Sequence, residues 1–244
     1  RDVLGSRGLG DVYKRQAQMA KALGKTTDYE DLMRRAKNYR YLYNPKTKLF
    51  QARNADGCWA GEHSGFTEGA NWTYQFCVMQ DVQGLIDLMG GNESFAAALD
   101  NVFDNGHYRH DNEPGHHYVY LYNYCGRFDK AQERIPEILD THYRNGADGL
   151  SGNDDCGQMS AWYLFSSLGF YPVTPASGEY ALGIPRFPSA RVELPHGKVL
   201  TVRAEGLKEH KHLPVILFNG KKLDAPFIAI RDLMKGGVLE FKAE

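Results

Sequence analysis

The chain has 244 residues, enough to bury a substantial core in one large or two modest domains. Its 29 Lys and Arg nearly cancel 30 Asp and Glu, which leaves no electrostatic footprint for nucleic acid or an anionic membrane. No run approaches the roughly 18 apolar residues of a bilayer-spanning helix.

Cys58, Cys77, Cys125 and Cys156 stand too far apart for a C-x-x-C zinc site or a dense disulfide scaffold, and are expected to be small buried side chains. Arg1 to Gln16 is rich in Gly and Arg and has no apolar period. It also lacks the apolar stretch and cleavage site of a secretory leader, so it is expected to be a frayed or foreign leader. From Asp28 the pattern turns helical: Tyr29, Leu32, Met33, Ala36, Tyr39 and Tyr43 recur at three- and four-residue steps behind an Asp28 N-cap, until Asn44-Pro45 stops the run. A helix is predicted over Trp72 to Met89, ended by Gly90-Gly91, and a third opens at Asn92 with Phe95, Leu99 and Val102 on one face. Two more follow over Gly115 to Tyr124 and Asp129 to Tyr143, with Pro136 predicting a kink or short start. A last helix covers Gly157 to Leu168.

After Pro175 the grammar changes to short β-branched or alternating runs at Arg191 to Leu194, Val199 to Ala204, Val215 to Phe218 and Val238 to Phe241. Asn219-Gly220 between Phe218 and Lys221 is a hairpin signal. The fold class is therefore mainly α, helical hairpins followed by a small β-sheet module.

Three polar clusters interrupt the helical pattern. In Phe66-Thr67-Glu68-Gly69-Ala70-Asn71-Trp72, a carboxylate beside rings suits a general acid, because desolvation raises its pKa; a first-turn carboxylate favoured by the helix dipole has the same look. His110-Asp111-Asn112-Glu113-Pro114-Gly115-His116-His117 is dense in oxygen donors of the kind calcium takes. The adjacent histidines would diverge by about 100° on a helix and so argue against a shared zinc, and a plain helix start with Pro114 near N1 is the competing reading. Gly152-Asn153-Asp154-Asp155-Cys156-Gly157 concentrates negative charge between glycines, for a cation, an activated water or the next helix; capping needs one Asp, not the whole triplet. If their loops lie on the same rim, Glu68 and Asp155 are the pair that glycoside hydrolysis requires, an acid for the leaving oxygen and either a base for water or a nucleophile.

These residues also carry a resemblance. Gly152 to Tyr171, including Gln158-Met159-Ser160-Ala161-Trp162-Tyr163 and Leu168-Gly169-Phe170-Tyr171-Pro172, resembles the signature of glycoside hydrolase family 92, the bacterial calcium-dependent α-mannosidases. Two further blocks are similar: Thr67-Glu68-Gly69 with Trp72, Tyr74, Asp81-Val82-Gln83-Gly84-Leu85 and Met89-Gly90-Gly91, then Asn112 to His117 with Tyr120 to Tyr124. The resemblance implies an inverting, exo-acting enzyme that releases mannose from N-glycans or mannans. It implies Glu68 as general acid and Asp155 as the base activating water, assisted by Asn153 or Asp154. Trp72, His116, His117 and Asp154 fall where the sugar is bound, and Asn112 and Glu113 where a calcium ion (Ca2+) is held. A cation suits mannose, because calcium on the 2- and 3-hydroxyls selects the axial 2-hydroxyl and helps flatten the ring.

By the same resemblance, residues 17 to 174 are part of an (α/α)6 barrel (a helical toroid), residues 175 to 244 a C-terminal β module, and residues 1 to 16 unmatched. A complete member has a further N-terminal β-sandwich, is secreted or periplasmic, and is several hundred residues longer. The chain is therefore expected to carry the catalytic carboxylates without a complete pocket. Two other readings remain open: a helical-toroid hydrolase of another glycan, and a non-catalytic carbohydrate-binding module.

Overall fold

The computed structural model describes residues 3–61, 64–174 and 176–243. By contacts the chain divides into two compact units, Arg1–Arg109 with Thr174–Ala176, and His110–Val173 with Ser177–Glu244. The expected handover from helices to strands was placed at Pro175, which lies outside the described residues. The described α-helices, all but one short one, lie before that point and the strands from Glu179 to Lys242 after it; the contact division falls between Arg109 and His110, apart from Thr174–Ala176.

The first unit opens with helix α1, Val3–Ala22, where no regular element was expected over Arg1 to Gln16. Its later part is anchored: Ala17 and Ala20 are buried, and Lys14 Nζ donates to the Gln80 carbonyl at 2.8 Å. Helix α2 is Thr26–Arg35, three residues earlier than an Asp28 cap would start it, and Lys25 flanks it without a side-chain cap. The helical period continues through a 3-10 turn, Asn38–Leu42, into a two-residue ladder of β1 (Tyr43–Asn44) and β2 (Leu49–Phe50). Tyr39, buried there, donates from its hydroxyl to Asp81 Oδ2 at 2.8 Å.

The helix predicted over Trp72 to Met89 is broken in two: α3, Asn71–Tyr74, and α4, Val82–Leu88, with a 3-10 turn Met79–Asp81 between them. Tertiary bonds override the helical pattern there. Gln75, buried, accepts from Phe50 N–H at 3.2 Å and donates to the Lys48 carbonyl at 2.9 Å, while Val78 and Asp81 take non-helical backbone angles. Helix α5, Asn92–Asp104, follows its apolar period, and Phe95, Leu99 and Val102 are all buried.

In the second unit, the stretch expected as a helix over Gly115 to Tyr124 is 3-10, in two pieces, Glu113–Gly115 and Tyr118–Cys125. Nearly every side chain of the second piece is buried, and a run apolar on all faces does not distinguish the two helix types. Helix α6, Phe128–His142, runs through Pro136 without interruption. Its buried Gln132 pins the helix: Nε2 donates to the carbonyls of Gly183 and Leu213, both at 3.1 Å, and Oε1 accepts from Leu213 N–H at 2.9 Å. All of the amide's donors and its acceptor are therefore used, which makes a buried Gln affordable. Helix α7 is Gln158–Leu168.

The described strands of the second unit form two sheets. Antiparallel β3 (Phe170–Tyr171), β4 (Glu179–Leu182) and β9 (Phe227–Ala229) make one, and the short helix α8, Ile230–Leu233, follows β9. The other has the order β5-β6-β10-β7-β8, from β5 (Ser189–Glu193), β6 (Val199–Ala204), β7 (Val215–Phe218), β8 (Lys221–Lys222) and β10 (Gly237–Lys242). Leu200, Val202 and Ala204 on β6 and Leu239 and Phe241 on β10 turn to the core with the strand period of two. The β7–β8 hairpin closes on Asn219 (φ 50°) and Gly220 (φ 77°), the positive-φ pair that a two-residue type I′ turn demands. Of the four cysteines only Cys125 is fully buried; Cys58 and Cys156 are exposed, so the expectation that all four are buried is corrected.

Candidate active site

Glu68 and Trp72 lie in the first unit, on the loop that enters α3. Glu68 is exposed and its backbone is left-handed (φ 56°), a conformation that costs a non-glycine residue about 1 kcal/mol or more. The loop is braced around it. Phe66 stacks on Tyr74 with centroids 5.6 Å apart, Tyr74 Oη donates to the Thr67 carbonyl at 2.5 Å, and Thr73 Oγ1 accepts from Ala70 N–H at 3.2 Å. Glu68 precedes the helix rather than sitting in its first turn, so the simple dipole role does not describe its place. Trp72 is half-buried and lies flat against His107, centroids 4.5 Å apart and planes 4° from parallel.

The other predicted residues are in the second unit. Asn112 caps the 3-10 turn Glu113–Gly115, its Oδ1 accepting from Glu113 N–H at 3.0 Å with Pro114 next. Glu113 is exposed. Asn153, Asp154 and Asp155 sit on the loop before α7, and Gly152 packs that loop against the first: a Cβ there would stand 2.3 Å from the Asp111 carbonyl oxygen and 2.8 Å from its Cα. Only glycine permits so close an approach.

The turn itself separates the two aspartates. Asp154 is consumed by the helix start, its Oδ1 accepting from Ser160 N–H at 2.9 Å and its carbonyl from Met159 N–H at 3.2 Å. Asp155, Cys156 and Gly157 then take three successive left-handed conformations, φ 45°, 59° and 89°. Asp155 is exposed and its carboxylate makes no hydrogen bond or ion pair with a described residue. Asn153 is exposed beside it.

Behind this surface lies a buried polar cluster. His116 and His117 are 1% and 4% exposed. His116 Nε2 faces the His110 carbonyl at 3.0 Å, Gln158 Nε2 lies 3.3 Å from His116 Nδ1 and 3.1 Å from Tyr171 Oη, and Trp162 Nε1 donates to the His116 carbonyl at 2.8 Å. His110, fully buried, meets Tyr143 Oη at 2.7 Å through Nε2, and Tyr143 in turn donates to the Met159 carbonyl at 3.0 Å. Burial pushes His110 down to about 2, helped by the neighbouring His116 and His142 rings. Burial also lowers His116, against the opposing pull of the His110 backbone bond and of Glu113, Asp155 and Asp111. Tyr171 is pushed up to about 12, chiefly by burial.

Gln158, Tyr171, His110 and Tyr143 were not singled out as site residues in the sequence. Gln158 stood in the recognised block, but its pairing with a histidine 42 positions away leaves no local signal.

As a calcium site, the oxygen donors of Asn112 and Glu113 fit the ion in kind. They do not fit in number, since calcium takes about six to eight oxygens, and no three His, Cys, Asp or Glu side chains converge among the described residues.

Residues 11–244 match the glycosyl hydrolase family 92 catalytic domain. Among solved structures, a family GH92 α-mannosidase from Bacteroides thetaiotaomicron is similar at 39% identity and TM-score 0.90, over 96% of this chain and 33% of that one. Its complex with mannoimidazole matches at 36% identity and TM-score 0.89, over 96% and 35%. A family GH92 inverting mannosidase from the same species matches at 33% identity and TM-score 0.85, over 93% and 35%. An uncharacterized secreted glycosidase of Arthroderma benhamiae is 30% identical over 177 residues, which is 71% of this chain and 23% of that protein. The chain thus spans about a third or less of each relative's length. The match over nearly its whole length, with both carboxylate loops inside it, means that the chain belongs to glycosyl hydrolase family 92.

Proposed function

We propose that this chain is the carboxylate-bearing part of a calcium-dependent, inverting exo-α-mannosidase that removes terminal mannose from N-glycans or mannans. Glu68 is the general acid, giving its proton to the departing glycosidic oxygen. Asp155 is the general base, taking a proton from the water that attacks the anomeric carbon from the opposite face. Asn153 assists that base, and Trp72 offers its ring to the sugar. His116, His117 and Asp154 shape the sugar site from behind its surface. The observation that carries the reading is the division of labour in the Asp154-Asp155 pair. One carboxylate caps the helix, and the other stands exposed on a left-handed turn with no structural bond to make.

The likeness to an α-mannosidase structure that holds mannoimidazole supports a mannose substrate. Asn112 and Glu113 would supply part of a calcium shell, and the ion would act there as a Lewis acid that orients the sugar hydroxyls and favours a flattened ring. Residues 17–174 are the (α/α)6 barrel portion and 175–244 the β module. The protein acts outside the cytoplasm, as the secreted fungal relative is named to do. No helix among the described residues is long and apolar enough to cross a membrane.

Turnover is to be measured in the full-length protein that contains this segment, with aryl α-mannoside and aryl α-glucoside. Glu68→Gln and Asp155→Asn are each expected to lower kcat on the mannoside by about 100-fold or more, and the first-formed sugar to be β-mannose by NMR. Cleavage of the glucoside alone assigns another glycan, and parental turnover in both variants rules out the two roles.

A further inference from the structure

We propose that Gln158 is a positioning residue for Asp155, its carboxamide tying the strained turn to the buried His116 ring and the Tyr171 hydroxyl. The inference rests on the reading of Asp155 as base.

The proton inventory leaves one arrangement of this contact. A carbonyl only accepts, so His116 Nε2, 3.0 Å from the His110 oxygen, must carry the ring proton. His116 is kept neutral by burial, so Nδ1 is left with its lone pair. Gln158 must therefore present its NH2 group, not its oxygen. One hydrogen goes to His116 Nδ1 at 3.3 Å and the other to Tyr171 Oη at 3.1 Å.

Both acceptors are rigidly held. His116 and Tyr171 are 1% and 7% exposed, Tyr171 stacks on Tyr120 with centroids 5.1 Å apart, and Trp162, one turn further along α7, grips the His116 carbonyl at 2.8 Å. The anchored residue is also the one that closes the turn, because Gln158 N–H donates to the Asp155 carbonyl at 3.3 Å. That bond is long, and three consecutive left-handed residues do not hold themselves. A helix start asks nothing of this side chain, since Asp154 already does the capping. The Gln158 amide instead fixes where the turn, and with it the Asp155 carboxylate, stands relative to the Glu113 loop. A misplacement of about 1 Å in a catalytic group costs about 100-fold in rate.

The test uses the full-length protein, an aryl α-mannoside, and three variants beside the parent. Gln158→Met keeps length and removes both N–H donors; kcat is expected to fall about 10- to 100-fold with KM within about twofold. Tyr171→Phe removes one acceptor oxygen while keeping the ring stack, and a loss in kcat of about threefold is expected. Asp155→Asn runs in parallel. In the 244-residue chain itself, Gln158→Met is expected to speed hydrogen exchange at the backbone amides of positions 158 and 159. Parental kcat in Gln158→Met beside an inactive Asp155→Asn overturns the positioning role alone. Losses that merely track the folded fraction overturn it too. Parental turnover in Asp155→Asn overturns the assignment of the base, and the positioning role with it.

Discussion

Between pH 7 and pH 5 an unfolded chain protonates its histidines, whereas His110 stays neutral in the folded second unit. The folded value, about 2, lies below the ordinary 6.5 because burial disfavours the imidazolium and the His116 and His142 rings stand 4.8 and 4.9 Å away. The unfolded state therefore binds the extra proton. Stability from this group is complete above about pH 6.5 and is lost as pH falls toward the folded value. At pH 5 the folded ring is still neutral, so the loss depends only on the unfolded value and amounts to about 2 kcal/mol. Urea denaturation at pH 7, 6 and 5, followed by tryptophan fluorescence, reads it, since Trp162 packs edge-on to His110 at 4.4 Å. The reference is His110→Gln, whose amide can still donate to Tyr143 and which does not titrate. The parent should lose about 2 kcal/mol more than this variant between pH 7 and 5. Parallel pH dependence in the two proteins refutes the buried neutral imidazole.

Four further perturbations concern the loops and the hairpin. Gly152→Ala drives a methyl to 2.3 Å from the Asp111 carbonyl oxygen; since both partners are backbone, a cost of about 3 kcal/mol is expected in chemical denaturation. Asp154→Ala removes the bond to Ser160 N–H and should cost about 1 kcal/mol. Asp155→Asn, in contrast, should leave stability within about 0.5 kcal/mol, because Asn tolerates the left-handed backbone and no hydrogen bond is lost. Equal destabilisation by these two variants counts against the division of labour between the aspartates. Asn219→Ala loses both the φ of 50° and the bond from Val238 N–H to Asn219 Oδ1 at 2.8 Å, and a thermal melt should register about 1–2 kcal/mol.

The strands were the most legible part. Val199–Ala204 and Val215–Phe218 lie where the alternating runs put them, and Asn219-Gly220 turns as its chemistry requires. Helix α5 was legible for the same reason: its apolar period and its burial agree. The helix over Trp72 to Met89 misled because Gln75 takes its partners from residues 25 and 27 positions away, and no local propensity reports that. In the loops, the sequence identified the dense carboxylates but not how they share the work. Asp154 and Asp155 are the same residue type side by side, and only the left-handed turn decides which one is spent on the helix. The parallel pairing of β10 with β6 also left no mark, because register across 30 or more residues is a tertiary matter.

Strand β10 enters the five-stranded sheet between β6 and β7, parallel to one and antiparallel to the other. Its Leu239 and Phe241 are completely buried there. During vectorial synthesis the sheet therefore exists first as two separate pairs, β5-β6 and β7-β8, each with an unprotected inner edge. Strand β10, made after the other four, joins the two pairs. Until Lys242 has left the ribosome, the two pairs present sticky edges to other nascent chains, and a truncation before β10 leaves those edges unpaired.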